Sequence, residues 1–239
     1  MTTNRLKWQL AGGVALITLL GGVLFVASRD GEPRYAGKRL STWLDELAPL
    51  HSDETARGDS RSAQSQAVRA IGTNALPWLL GEMRAEEMRL NGWINWALDK
   101  QPVFKFRLPD IDYRLRRATI GFQLLGEMAE PAIPDLLSLV DSRPGYAPGA
   151  LSYIGPRAIP ALRQCLTNTR SWSYRSGQII PIPGNTIGAI HNSVNQARLS
   201  ESDVAILIPT IREWAKQSTN QYASLYAIGF LRSQGINDF

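Results

Sequence analysis

The chain has 239 residues, 44% of them hydrophobic and 20% charged, an ordinary globular composition that excludes a disordered protein. Of its formal net charge of +5, Arg5 and Lys7 supply two and residues 1–28 hold no acid, so the part after Ser28 carries only +3, a weak footprint for nucleic acid. The one cysteine, Cys165, excludes an intrachain disulfide.

Residues 1–8 read as a short tail and 9–28 as a transmembrane helix or signal anchor. Within the latter, "LAGGVALITLLGGVLFVA" (10–27) has no charge and one polar residue, Thr18. A helix of that length covers roughly 27 Å, close to the hydrocarbon thickness of a bilayer. Arg5, Lys7 and Trp8 sit on its near flank as interfacial residues do. Val26-Ala27-Ser28 offers a cleavage site for the alternative, a signal peptide, although the apolar run is longer than the usual 7–15 residues. The expectation is a single-pass membrane protein whose following domain is extracytoplasmic, or a secreted or periplasmic one after cleavage.

Residues 29–40 read as a linker broken by Gly31, Pro33 and Gly37, and 41–239 as an all-α domain. "LSTWLDEL" opens a short helix with Ser41 as N-cap and Leu40, Trp43, Leu44 and Leu47 on one apolar face. Three related phrases follow: "IGTNALPWL" (71–79), "LGEMAEPAIPDL" (125–136) and "IGPRAIPAL" (154–162). In each, an apolar run of helical period ends at a glycine, Gly72, Gly126 or Gly155, which predicts a left-handed C-cap. A second run then opens with Pro77, Pro134 or Pro160 in its first turn, where proline forfeits no hydrogen bond. Pro209 marks a weaker fourth pair (185–199 and 201–217), and 220–235 reads as a capping helix. Setting aside insertions near 91–112 and 170–183 leaves units of about 30–40 residues, the period of helical solenoids.

These phrases resemble HEAT repeats of the short bacterial kind related to the phycobilisome-lyase HEAT-like group. "YAGKRLSTWLDEL" paired with "AIGTNALPWLL" behind an apolar N-terminal segment also resembles a set of bacterial HEAT-repeat proteins. The resemblance covers most of 35–235. It implies an α-solenoid of about four helix pairs plus a capping helix, a protein partner, and no catalytic residue or cofactor.

The residues themselves point to no catalytic constellation. Only two histidines exist, His51 in a polar loop and His191 in the middle of a helix. Cys165 falls where a small buried hydrophobe belongs. Asp45-Glu46 and Glu86-Glu87 are sequence neighbours on solvated helix faces, so neither pair faces inward together. The expectation is therefore a non-catalytic, membrane-anchored protein-binding scaffold. The alternatives are a HEAT-like lyase acting on a bilin or protein, and a soluble nucleic-acid-binding protein, which the near-neutral balance disfavours.

Two regions attract attention as binding surfaces. "GWINWALDKQPVFKFRLPDIDYRLRR" (92–117) interleaves Trp93, Trp96, Phe104, Phe106 and Tyr113 with bases; the simplest reading is that its aromatics cover apolar surface and its bases face water. Arg163 and Arg212 each stand three residues after a proline, Pro160 and Pro209. They are expected to share one concave groove, with Trp172 and Tyr174 of the second insertion at its rim.

Overall fold

The computed structural model describes residues 31–47, 62–86, 110–173, 179–216 and 221–238. The chain divides into two units, Met1–Glu32 and Pro33–Phe239, and of the first only Gly31 and Glu32 are among the described residues. The second unit is mostly helical, with little strand.

The expected membrane placement is corrected. Residues 9–28 lie outside the described residues, and among the described residues no helix is long and apolar enough to cross a membrane. The longest of them has 15 residues, about 22 Å at 1.5 Å per residue against a hydrocarbon layer of about 30 Å, and it carries Asp112, Arg114, Arg116 and Arg117. Neither the single-pass localisation nor its exported variant is retained.

The linker also differs from its reading. Strands β1 (Arg34–Tyr35) and β2 (Lys38–Arg39) form an antiparallel hairpin. Its two turn residues, Ala36 at φ 49 and Gly37 at φ 78, both take the left-handed sign that a type I′ hairpin turn demands. Ala36 is the poor member, because its Cβ crowds the backbone there. Ala36→Asn should therefore stabilise the protein by about 0.5–1 kcal/mol, read as a rise in Tm. An unchanged or lower Tm would show that the turn carries no such strain.

Helix α1 (Leu40–Asp45) follows directly; its N-cap position is Arg39, without a side-chain cap, so Ser41 is already inside the helix. Then come α2 (Ala63–Ile71), α3 (Leu76–Arg84), α4 (Ile111–Leu125), α5 (Ile133–Ser138), α6 (Ala147–Ile154) and α7 (Ile159–Thr167). Strands β3 (Ser171–Ser173) and β4 (Ile179–Pro181) pair antiparallel, Trp172 opposite Ile180, so part of the second insertion is a hairpin. The chain continues as α8 (Ile182–Asn195), the one-turn α9 (Glu201–Ala205), α10 (Ile208–Lys216) and α11 (Gln221–Ser233). Of the first insertion, residues 87–109 lie outside the described residues, while Asp110 caps α4 by accepting from the Tyr113 N–H at 2.9 Å.

Each Gly-Pro phrase is a corner in which a short 3₁₀ turn separates two α-helices: Gly72–Ala75, Gly126–Ala132 and Pro156–Ala158. Pro77, Pro134 and Pro160 all sit in the first turn of the helix that follows, as does Pro209 in α10. The corner glycines have positive φ, but their ψ values are −140, −129 and −156 for Gly72, Gly126 and Gly155. That is the mirror image of extended backbone and not the left-handed helical cap expected, so the chain turns at once into the 3₁₀ segment.

Helices α2, α4, α6, α8 and α11 pack each against the next, and α5 packs on α7 and α7 on α10. Between them runs one core from Leu40 to Leu231, with Phe122, Leu136, Leu162 and Phe230 fully buried. Polar ties cross it. Ser193 Oγ donates to Ser152 Oγ at 2.9 Å between α8 and α6, and Trp214 Nε1 donates to the Leu166 carbonyl at 2.8 Å, fixing α10 to α7. Arginines close helix C-termini: Arg69 Nε donates to the Leu124 carbonyl at 3.2 Å and Arg143 Nε to that of Met83 at 3.1 Å.

Candidate functional site

Two polar assemblies stand out from the core. The first lies where α1, α3 and α4 meet. Arg117, with a side chain only 10% exposed, reaches Asp45 Oδ1 at 3.1 Å and Glu82 Oε2 at 2.6 Å. Glu82, 8% exposed, also takes Arg114 at 2.7 Å, and the Tyr113 hydroxyl donates to Asp45 at 2.8 Å. The Arg117 guanidinium stands 5.0 Å from the Trp78 ring centre and 5.6 Å from that of Tyr113. Burial opposes ionisation of Glu82, but the hydrogen bonds from Arg114 and Arg117 outweigh it and hold the carboxyl below its ordinary range. Arg114 and Arg117 thus face inward to carboxylates, not to water as the sequence reading had them. The two guanidiniums and two carboxylates pair with one another, leaving only the Arg117 Nε buried without a partner, and the assembly braces the helices together.

The second assembly is an open cleft of about 280 Å³ built by α4, α6, α8 and α11. Four of its lining residues are small, Gly145 and Gly149 from α6 and its approach, and Gly188 and Ala189 from α8. A Cβ on Gly188 would stand 3.0 Å from the Tyr226 ring, so glycine lets α11 close over α8 there. Thr119 and the buried Pro144 and Pro148 also line it, and Tyr153, Asn185, Asn192 and Tyr226 supply polar groups. Asn185 Nδ2 donates to the Pro144 carbonyl at 3.2 Å. The exposed Asn192 amide makes no hydrogen bond among the described residues. Burial raises the Tyr153 phenol, which is hydrogen-bonded to Gln196. Burial also raises that of Tyr222, whose ring stacks 4.7 Å from Tyr226 and whose hydroxyl bonds to it. No lining residue carries a charge.

Of the residues expected to form a groove, only Arg163 and Arg212 have described side chains. Arg163 is exposed on α7, without a hydrogen bond or ion pair among the described residues. Arg212, on α10, is ion-paired to Asp238 at 3.2 Å, and its Nε is buried without a partner. Trp172 pairs through its backbone in β3, and Tyr174 lies outside the described residues, as do His51, Trp93, Trp96, Phe104 and Phe106. His191 packs edge-on against Phe230 with ring centres 5.9 Å apart. Burial pushes the Cys165 thiol up to about 12, the wrong direction for a nucleophile at neutral pH. Among the described residues no group of three or more His, Cys, Asp or Glu is placed to hold a metal ion.

The chain matches no known protein family, no curated protein and no solved structure.

Sequence reasoning passed over the cleft entirely. Its signal is faint: asparagines at 185 and 192, two helical turns apart on one face, with Gly188 and Ala189 between them.

Proposed function

We propose that the chain is a HEAT-like α-solenoid that binds another protein and catalyses no reaction, and that the partner enters the cleft between α4, α6, α8 and α11. The observation that carries this reading is the cleft itself: four helices far apart in sequence converge on an uncharged concavity whose Asn192 amide has no intramolecular partner among the described residues. The corners at Gly72, Gly126 and Gly155 and the shared core support the repeat architecture, since each helix pair buries its apolar face only against its neighbours.

The test is capture by the immobilised full chain from an extract of the cells that make it. Native chain should retain a specific protein, and Asn192→Trp, which fills the cleft, should lose it with Tm unchanged. The double variant Arg163→Glu, Arg212→Glu should retain it. Loss in the arginine variant alone would move the partner to the face of α7 and α10. Capture of no protein above background would overturn the reading.

A further inference from the structure

We infer that Arg69 and Arg198 form a binding site for a phosphoryl group at the last turn of α4, whatever enters the cleft. Two elements far apart in sequence bring these arginines together. Arg69, in the last turn of α2, donates through Nε to the Leu124 carbonyl at 3.2 Å. Arg198, just past the end of α8, lays its guanidinium over Gly126, where Nη1 stands 3.0 Å from the position a Cβ would take. The two cations thus lie against residues two apart on one turn.

Their charges are not spent inside the protein. Arg69 keeps its two terminal nitrogens, and the half-buried Arg198 guanidinium makes no hydrogen bond or ion pair among the described residues. Burial, and after it the repulsion from Arg69, hold Arg198 below its ordinary range, although it stays charged at neutral pH. The exposed Glu127 carboxylate attracts it without forming an ion pair. Two like charges held together away from water are a cost that an entering anion removes.

The donors select the kind of anion. Tyr153 of α6 joins the group through Gln196, whose Oε1 accepts from Gln123 of α4 at 2.9 Å. With its oxygen so occupied, Gln196 turns its N–H groups to the Tyr153 oxygen, which leaves the hydroxyl proton to donate. Two guanidiniums and a hydroxyl therefore offer two positive charges and donors from three elements. A carboxylate brings one charge and two coplanar oxygens, whereas a phosphoryl group brings up to two charges and three acceptor oxygens. Glu127 is a carboxylate already at hand, and it has not drawn Arg198 into a pair. Guanidinium forks suit phosphoryl oxygens in particular.

The experiment titrates the full chain with inorganic phosphate by calorimetry at fixed ionic strength, with acetate and with phosphoserine, acetylated and amidated, as parallel probes. The expected result is one saturable site for phosphate, at least about tenfold weaker for acetate and weakened at least about tenfold by Arg198→Gln. Glu127→Gln should tighten it, because the competing carboxylate is gone. Phosphoserine binding tighter than phosphate would assign the group to a phosphorylated protein, and weaker or equal binding would assign it to free phosphate; both support the site. Circular dichroism checks that each variant is folded. Should Arg198→Gln unfold, Glu127→Gln, changed at an exposed position, decides alone. Absence of saturable phosphate binding, acetate as tight as phosphate, indifference to Arg198→Gln, or no tightening in Glu127→Gln overturns the inference.

Discussion

Arg117→Ala should lower stability by about 3 kcal/mol, the low end of the range for breaking a buried ion pair, because Arg114 still holds one side of Glu82. The variant deletes the contacts to Asp45 and Glu82 and the cation lying over Trp78 and Tyr113, leaving a carboxylate 8% exposed with half its compensation. If the cost comes from that stranded charge, then Arg117→Met combined with Glu82→Leu should recover most of it, since apolar groups of similar shape need no partner. A double variant as unstable as the single would refute this account. The pH dependence follows from the sign of the shift. Glu82 is held below its ordinary value of 4.5, so its contribution is present above that pH and is lost as acid carries the solution down through the lowered folded value. Denaturant midpoints measured from pH 7 downward should fall below about pH 4.5, and less steeply in Glu82→Gln. The same slope in both proteins would mean that other carboxylates carry the acid sensitivity.

The corner glycines should tolerate no other residue, asparagine included, each substitution costing about 1–3 kcal/mol. Asparagine commonly replaces glycine at a left-handed helical cap, where ψ is positive. At Gly72, Gly126 and Gly155 the positive φ is joined to a strongly negative ψ, a region that glycine alone enters freely. Gly72 gives the purest reading, because a Cβ there meets nothing within 4 Å and any loss is conformational. At Gly155 a Cβ also lies 3.6 Å from the Arg198 carbonyl, so Gly155→Val adds crowding to strain. Chemical denaturation of Gly72→Ala and Gly72→Asn decides the matter. Equal losses fit the observed geometry, and an asparagine variant close to the native protein would mean a left-handed cap after all.

What the sequence disclosed and what it hid divide along a physical line. The helices and their corners were legible because their signals are local: Ala67, Val68 and Ile71 repeat at helical spacing, Gly72 ends the run, and Pro77 starts the next. The hairpin at 34–39 was hidden because its turn uses Ala36, which does not announce positive φ. The brace was hidden because Arg117 meets partners 35 and 72 residues away, and nothing in "YRLRR" distinguishes an inward arginine from a solvated one. The cleft lay deeper still. Its lining runs from Thr119 to Tyr226, and its character comes from small and neutral residues that carry no motif. Arg163 and Arg212 drew notice through matching positions after their prolines, yet Arg212 finds Asp238 near the end of the chain, which no spacing rule reports.

Amide hydrogen exchange on the full chain, with and without its captured protein, bears most directly on the scaffold reading. Slower exchange on binding should concentrate in residues 144–153 and 182–195, the segments that build the cleft, while α5, α7 and α10 keep their native rates. Protection confined to α5, α7 and α10, or rates unchanged everywhere by a bound protein, would contradict it.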